Sequence, residues 1–201
     1  MPLLSIEEIS PGCRLGLWKI EDSIEELVEA NPCLHSILEH TEKFRSESRR
    51  KEVLAIYALL FAMTGDSKLR IEHDPLSRPL VEGFHVSVSH TKGYAALILS
   101  TRGNVAVDIE YLSNRVERIA HKFIRYDEKA PDLYSKLIHW CAKETIYKLF
   151  SEEMLDFFDT CLSPFLLSEN GTIDVVDLKE KKTQLVYYRL NDKYVLTYAY
   201  L

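Results

Sequence analysis

The chain has 201 residues, 46% of them hydrophobic, which is enough to bury a core in one domain or in two closely joined halves. Its 31 acidic residues outnumber its 25 basic ones, and the net charge of −6 argues against a nucleic-acid binder, which needs a concentrated basic face. No stretch reaches the roughly 18 apolar residues of a membrane span, and the N-terminus lacks a basic and apolar leader, so we expect a cytoplasmic protein.

The first half of the chain is predicted to hold one short strand, one long helix and then a run of strands. The short strand covers residues 16–20. Apolar residues recur at helical spacing over residues 46–63, with Ser46 as a candidate cap and Gly65 as the stop. Three strand-like runs separated by glycine-containing turns cover residues 84–90, 94–100 and 105–110. We expect these three runs to form one antiparallel meander.

The second half is predicted to begin with two helices and to end in strands. The helices cover residues 116–124 and 132–150, and three alternating runs in the tail, TIDVVDL, TQLVYYRL and YVLTYAYL, are typical of strands. Both halves therefore combine helices with an antiparallel sheet. This pattern predicts an α+β fold of two similar lobes, residues 1–102 and 103–201.

Two acidic residues, Asp108 and Glu110, end the third of the predicted strands. Because they are two positions apart, their side chains leave one face of the strand, while Val105, Val107 and Ile109 point to the other. Two carboxylates this close repel each other unless a cation lies between them, and a hard divalent cation is a common solution. A strand that simply ends in solvent explains the same spacing, so this pair alone does not establish a metal site.

Charged residues also interrupt the apolar face of the helix predicted over residues 132–150. At about 100° per residue, Glu144 and Lys148 fall in the same arc as Cys141. Lys143 falls well outside this arc and needs no special account. An unpaired charge on a face that packs is costly, so Glu144 as a third metal ligand and Lys148 as a contact to an anion would explain both.

A polar Ser-His-Thr-Lys-Gly turn follows the strand predicted over residues 84–90. Ser89 and His90 are adjacent, so their side chains diverge, and the chain has no GxSxG elbow; both facts argue against a serine hydrolase. These groups can instead hold a phosphate, although a structural histidine explains the turn about as well. Further candidates for contact with an anion are Arg78 and the basic run Arg45, Arg49, Arg50 and Lys51. The run taken alone is better explained as a solvated helix start.

Three segments, in this order, resemble the 4′-phosphopantetheinyl transferase superfamily, specifically its larger two-lobed, surfactin-synthetase-activating type. They are Val86-Ser87-Val88-Ser89-His90-Thr91, Val105-Ala106-Val107-Asp108-Ile109-Glu110 and Trp140-Cys141-Ala142-Lys143-Glu144-Thr145-Ile146-Tyr147-Lys148. The last segment agrees with the family's W-x-x-K-E-x-x-x-K pattern at every signature position. The resemblance extends over about residues 49–150, and the strand-rich tail is compatible with it.

The resemblance implies an enzyme that moves the phosphopantetheine arm of coenzyme A onto a serine of an acyl or peptidyl carrier protein and releases 3′,5′-ADP. It also implies the superfamily's fold, with two lobes in pseudo-twofold relation, the active site in the cleft between them, and a monomeric chain. Mg²⁺ is the expected metal, with Mn²⁺ as the alternative. Neither nucleic acid nor a membrane is expected as a partner.

The same resemblance implies roles for individual residues. The metal would be held by Asp108, Glu110 and Glu144. The nucleotide end of coenzyme A, including its 3′-phosphate, would be bound by Arg50, Arg78, Ser89 and His90, and its pyrophosphate by Lys148. The catalytic residues would be Asp108, Glu144 and Lys148, with Glu144 taking the serine proton directly or through water.

Three positions depart from the family's pattern. Ala106 replaces a glycine two residues before the first acid, a change that a strand tolerates. Tyr57 replaces an arginine that relatives often carry, which puts one phosphate contact in doubt. Ser77-Arg78-Pro79 replaces Gly-Lys-Pro, and the arginine keeps the positive charge and can bind a phosphate with two hydrogen bonds.

Two other functions stay open at this point. A module of the same fold could bind coenzyme A or a carrier protein without turnover, and would then leave every carrier unmodified. An unrelated metal-dependent phosphohydrolase could use the two strand-end acids, and would then release phosphate without any carrier.

The carrier protein is expected to dock on a local basic patch, because carrier surfaces are commonly acidic. The candidate is the segment of residues 115–125, which carries Arg118, Lys122 and Arg125.

Overall fold

The fold is known from a computed structural model, which describes residues 2–201. The chain divides into two compact units, Met1–Gly103 and Asn104–Leu201. Each unit packs one long helix on a face of an antiparallel sheet, so the predicted α+β class is confirmed. Within the described residues, no helix combines the length and the apolar character needed to cross a membrane.

Unit 1 (Met1–Gly103) is built on a four-stranded antiparallel sheet of order β1-β2-β6-β5 and a small β3-β4 ribbon. The strands are β1 (Leu3–Ser10), β2 (Cys13–Lys19), β3 (Glu72–His73), β4 (Pro79–Leu80), β5 (His85–Thr91) and β6 (Tyr94–Ser100). The helices are α1 (Ile24–Ala30), α2 (His35–Thr41) and α3 (Glu47–Thr64). The sequence pattern did not predict β1, α1 or α2.

Helix α3 has the ends that the sequence predicts. The Ser46 side chain accepts a hydrogen bond from the backbone N–H of Arg49, and Gly65 takes a left-handed conformation with φ of 73°. The helix packs closely on the sheet at Gly16 of β2, where a Cβ atom would lie 2.7 Å from Met63 Sδ. The core of unit 1 forms between this helix and the sheet.

Unit 2 (Asn104–Leu201) contains a five-stranded antiparallel sheet of order β7-β11-β10-β9-β8. The strands are β7 (Val105–Tyr111), β8 (Thr160–Leu162), β9 (Asn170–Asp177), β10 (Lys182–Leu190) and β11 (Tyr194–Tyr200). The helices are α4 (Arg115–Ile119) and α5 (Leu133–Leu149), and α4 continues into a 3₁₀ turn at Ala120–Lys122. The long helix and the three tail strands agree with the prediction.

The expected three-stranded meander is wrong at its third strand. Strands β5 and β6 pair as predicted, but β7 belongs to the sheet of unit 2 and pairs with β11, with Asp108 opposite Thr197. The partner of β7 is the last strand of the chain. A period-two pattern predicts that a segment is a strand, but it does not specify a partner so distant in sequence.

A second prediction, that Lys143 needs no special account, is also wrong. Its side chain is fully buried, and its Nζ lies 2.8 Å from Glu128 Oε2. The same Nζ donates to backbone oxygens at 2.7–3.0 Å; they belong to Phe123, Phe157 and Thr160. Burial lowers the pKa of Lys143, and the Glu128 carboxylate opposes this shift. The apolar periodicity of the helix therefore did not predict that Lys143 is completely buried.

Replacement of Lys143 by methionine should destabilise the protein by about 3–5 kcal/mol, because Glu128 would remain buried without its cation. Lys136→Met on the same helix is the matched control, since the Lys136–Glu117 pair lies at the surface and should contribute less than about 1 kcal/mol. Urea denaturation of the two variants measures both changes in the free energy of unfolding. Equal losses would contradict a structural role for the buried pair.

Candidate active site

The two strand-end acids lie on the face of β7 that packs against α5. Asp108 is paired with Thr197 across the ladder, and the Thr197 hydroxyl lies 2.7 Å from Thr145 Oγ1 of α5. Glu110 follows two positions later and therefore shares this face. Asp108 is buried, whereas Glu110 is half-buried. The first acid is thus enclosed beneath the helix, and the second lies closer to the surface.

Helix α5 places the positively charged side chain of Lys148 against the buried Asp108. The Nζ atom of Lys148 donates to Asp108 Oδ1 at 2.7 Å and to the Val107 carbonyl at 3.0 Å. The Lys148 side chain is 26% exposed, so one end of this pair is open to solvent. Lys148 therefore compensates the charge of Asp108 while remaining accessible to an anionic ligand.

Glu144 lies one helical turn before Lys148 and is half-buried. Burial, the largest cause, raises its pKa to about 7; the negative charges of Asp108 and Glu110 add to the shift, and Lys148 opposes it. The pKa of Cys141 is also raised, first by burial and then by the same two acids. Asp108, Glu110 and Glu144 therefore belong to one electrostatic environment.

Asp108, Glu110 and Glu144 are the candidate ligands for a divalent cation. Over residues 2–201, no group of three or more His, Cys, Asp or Glu side chains is gathered closely enough to hold a metal ion. The donor chemistry nevertheless fits Mg²⁺, because carboxylate oxygens are the hard ligands that it prefers, and the charges of Asp108 and Glu110 add to the burial that raises the pKa of Glu144. The residues fit the ion by type, and coordination by all three would require their side chains to come together.

In unit 1, His90 projects from β5 toward α3, on the face that also carries Val86 and Val88. Its Nδ1 lies 3.2 Å from Glu52 Oε2, and its Nε2 contacts Arg49 Nη1. Arg49 Nη1 in turn lies 3.1 Å from Glu52 Oε2. Of the residues in the basic run, Arg49 is therefore the one that contacts His90.

The remaining predicted nucleotide contacts lie at different points of unit 1. Ser89 is buried and projects from the opposite face of β5, so its hydroxyl and the His90 ring diverge as predicted. Arg50 donates from Nε to the Thr41 hydroxyl at 3.4 Å.

Arg78 lies in a tight loop organised by Asp74, whose carboxylate accepts hydrogen bonds from the backbone N–H and the Nε of Arg78. Ser77 precedes it with φ of 63°, a left-handed conformation that glycine adopts more readily. The serine that replaces the glycine of the Gly-Lys-Pro pattern therefore lies in a region of backbone conformation that favours glycine.

Comparison with known families decides the identity of unit 2. Residues 104–199 match the 4′-phosphopantetheinyl transferase superfamily, and the match spans nearly all of the unit that carries the three acids and Lys148. Unit 2, which is just under half of the chain, belongs to this superfamily. No curated protein matches the sequence significantly. Membership supports phosphopantetheine transfer as the kind of reaction that the chain performs.

Two sets of contacts in this chain were not predicted from the sequence. Glu52 contacts both Arg49 and His90, and the available signal was an acid placed directly after three basic residues. The Lys143–Glu128 pair had no signal in the apolar periodicity, because both residues are charged and lie in separate elements.

The raised pKa of Glu144 predicts how stability depends on pH. Because the folded protein binds this proton more tightly than the unfolded chain, Glu144 should lower the free energy of unfolding as pH rises from about 4.5 to about 7. Glu144→Gln should remove this contribution and give a flatter pH profile. Urea denaturation of both proteins between pH 4 and 8 in the presence of EDTA measures the difference. Parallel pH profiles of the wild type and Glu144→Gln would contradict the raised pKa of Glu144.

Proposed function

We propose that this chain transfers the 4′-phosphopantetheine group of coenzyme A to a serine of an apo acyl or peptidyl carrier protein and releases 3′,5′-ADP. The supporting observation is the group formed by buried Asp108, its partner Lys148, and half-buried Glu144 with a pKa of about 7, in the unit that matches the superfamily. A general base is most effective when its pKa lies near the working pH.

The acids and the lysine have separate roles in this proposal. Asp108, Glu110 and Glu144 would hold Mg²⁺ or Mn²⁺, which when bound would offset negative charge on the pyrophosphate of coenzyme A. Lys148 binds the phosphates and stabilises charge as the bond to 3′,5′-ADP breaks. Glu144 accepts the proton of the carrier serine, directly or through water. Asp108 keeps Lys148 in place through their 2.7 Å contact.

Unit 1 would bind the nucleotide end of coenzyme A. His90 and Arg49 are the favoured contacts to its 3′-phosphate, because they already lie against each other. Arg50, Arg78 and Ser89 would supply further contacts to the nucleotide. The enzyme would work as a monomer in the cytoplasm.

The carrier protein would dock along α4 and the turn that follows it. Arg115, Arg118 and Lys122 are exposed there, whereas Arg125 is engaged by Asp127 and by the Phe158 carbonyl. A pocket beside α4 is lined by Glu110 and Arg115 and has an apolar wall of Val116, Ile119, Leu137 and Trp140. An acidic carrier could therefore meet basic side chains beside one of the proposed metal ligands.

Mass spectrometry of apo carrier proteins incubated with coenzyme A, Mg²⁺ and the enzyme tests the proposed reaction. Wild type should add the phosphopantetheine mass to at least one carrier. Asp108→Asn should reduce the rate by roughly 100-fold or more, because it removes a metal-ligand charge and the partner of Lys148. Asp192→Asn, at an exposed position in the turn after β10, should leave the rate unchanged.

The other outcomes separate the alternatives. Binding of coenzyme A without modification of any carrier would favour a non-catalytic module of the same fold. Release of phosphate in the absence of a carrier would favour a phosphohydrolase. Full transfer activity in Asp108→Asn would refute its role in the site.

Charge reversal at Arg118 tests the docking segment. Arg118→Glu should reduce kcat/KM for an acidic carrier by about tenfold and weaken its dependence on salt, with KM for coenzyme A unchanged. Lys193→Glu, an exposed lysine outside the segment, is the matched control. Steady-state kinetics at two ionic strengths measures both variants. A docking site elsewhere would leave Arg118→Glu indistinguishable from this control.

A further inference from the structure

Glu52 is an acid in a place where the proposed function requires positive charge. It lies on the second turn of α3, its side chain is 17% exposed, and its Oε2 lies 3.1 Å from Arg49 Nη1 and 3.2 Å from His90 Nδ1. Arg49 Nη1 also contacts His90 Nε2. The three side chains therefore form a closed ring of contacts between α3 and β5.

These three contacts determine which imidazole nitrogen of His90 carries the proton. A carboxylate next to Nδ1 accepts an N–H from it, and an arginine next to Nε2 donates to that nitrogen. When the imidazole is neutral, the contacts therefore favour the tautomer with its proton on Nδ1. They also hold the guanidinium of Arg49 by Nη1, so that Nε and Nη2 lie outside the ring of contacts.

An ordinary helix ion pair does not have these features. Glu47 and Lys51 on the same helix form such a pair, with N–O distance 3.0 Å and Glu47 68% exposed. Glu52 is far less exposed and joins two elements. A carboxylate beside an anion site also weakens anion binding by repulsion, so its presence needs a compensating role, and orientation of both cationic groups supplies one.

We infer that Glu52 is a positioning residue that sets the tautomer of His90 and the orientation of Arg49 for the 3′-phosphate of coenzyme A. The inference rests on the proposed function, because the ligand is that of the proposed reaction. Glu52 itself does not touch the phosphate and acts through its two neighbours. Its removal should therefore affect recognition of the 3′-phosphate and leave the transfer step unaffected.

The tautomer can be measured without any substrate. Two-dimensional ¹⁵N spectra of the imidazole rings should show His90 of the wild type protonated on Nδ1 at a pH where the ring is neutral. Glu52→Ala should shift the population toward the Nε2-protonated form. Glu52→Gln should preserve the wild-type form, because its amide oxygen can still accept a hydrogen bond from the Nδ1–H group. Glu47→Ala, which removes an acid from the same helix, should match the wild type.

Kinetics with two donor substrates provides the functional measurement. Glu52→Ala should raise KM for coenzyme A by about tenfold with kcat unchanged, since a charge-assisted hydrogen bond to an oriented group is lost. KM for 3′-dephospho-coenzyme A, which lacks the 3′-phosphate, should be unchanged. Glu52→Gln should recover part of the loss, and backbone amide spectra of each variant would establish that it is folded.

The results separate failure of this inference from failure of the proposed function. Absence of carrier modification by the wild type would contradict the proposed function, and the His90 tautomer would still test the positioning role. An unchanged tautomer in Glu52→Ala would overturn the inference, as would an equal rise in KM for both donor substrates.

Discussion

The buried ion pair between Lys143 and Glu128 is the contact on which the arrangement of unit 2 depends. Lys143 joins α5 to three backbone carbonyls, and Glu128 accepts hydrogen bonds from the backbone N–H groups of Arg125 and Leu162. The pair thereby holds together helix α5, the segment of residues 123–128, and the segment of residues 157–162 that contains β8. Burial of two charges contributes little net stability, but any other arrangement would leave one of them without a partner. The pair therefore favours a single geometry.

The same pair sets the rotation of α5, which carries Glu144 and Lys148. Lys143 and Glu144 are neighbours on α5, so the rotation that buries the lysine among carbonyl oxygens directs the glutamate elsewhere. Lys148, one turn later, reaches the buried Asp108 of β7. The sheet supplies the partner surface, since β7 pairs with β11 and Thr197 is tied to the helix through Thr145. Burial in this setting, more than any single neighbour, raises the pKa of Glu144.

Unit 1 and unit 2 use carboxylates in different ways. In unit 2, three acids share one electrostatic environment, their oxygen atoms are of the type that binds a divalent cation, and one of them, Glu144, has the raised pKa that suits a proton acceptor. In unit 1, a single acid, Glu52, lies between an arginine and a histidine and contacts both. The superfamily match lies in unit 2, and in unit 1 the contacts of Glu52 gather Arg49 and His90 at one place in a chain of net charge −6.

The sequence by itself determined the two long helices, both ends of α3, most of the strands, and the face of β7 from which Asp108 and Glu110 project. These features follow from local rules, because capping and periodicity depend on residues a few positions apart. It also identified the superfamily, since the third motif carries Glu144 and Lys148 at fixed spacing.

Only the tertiary structure decided that β7 pairs with β11, that Lys143 is buried, and that Arg49 rather than Arg50 meets His90. Each of these facts depends on contacts between residues 14 to 95 positions apart in the chain. Apolar periodicity records which side of an element is buried. It carries no information about the partner that compensates a buried charge.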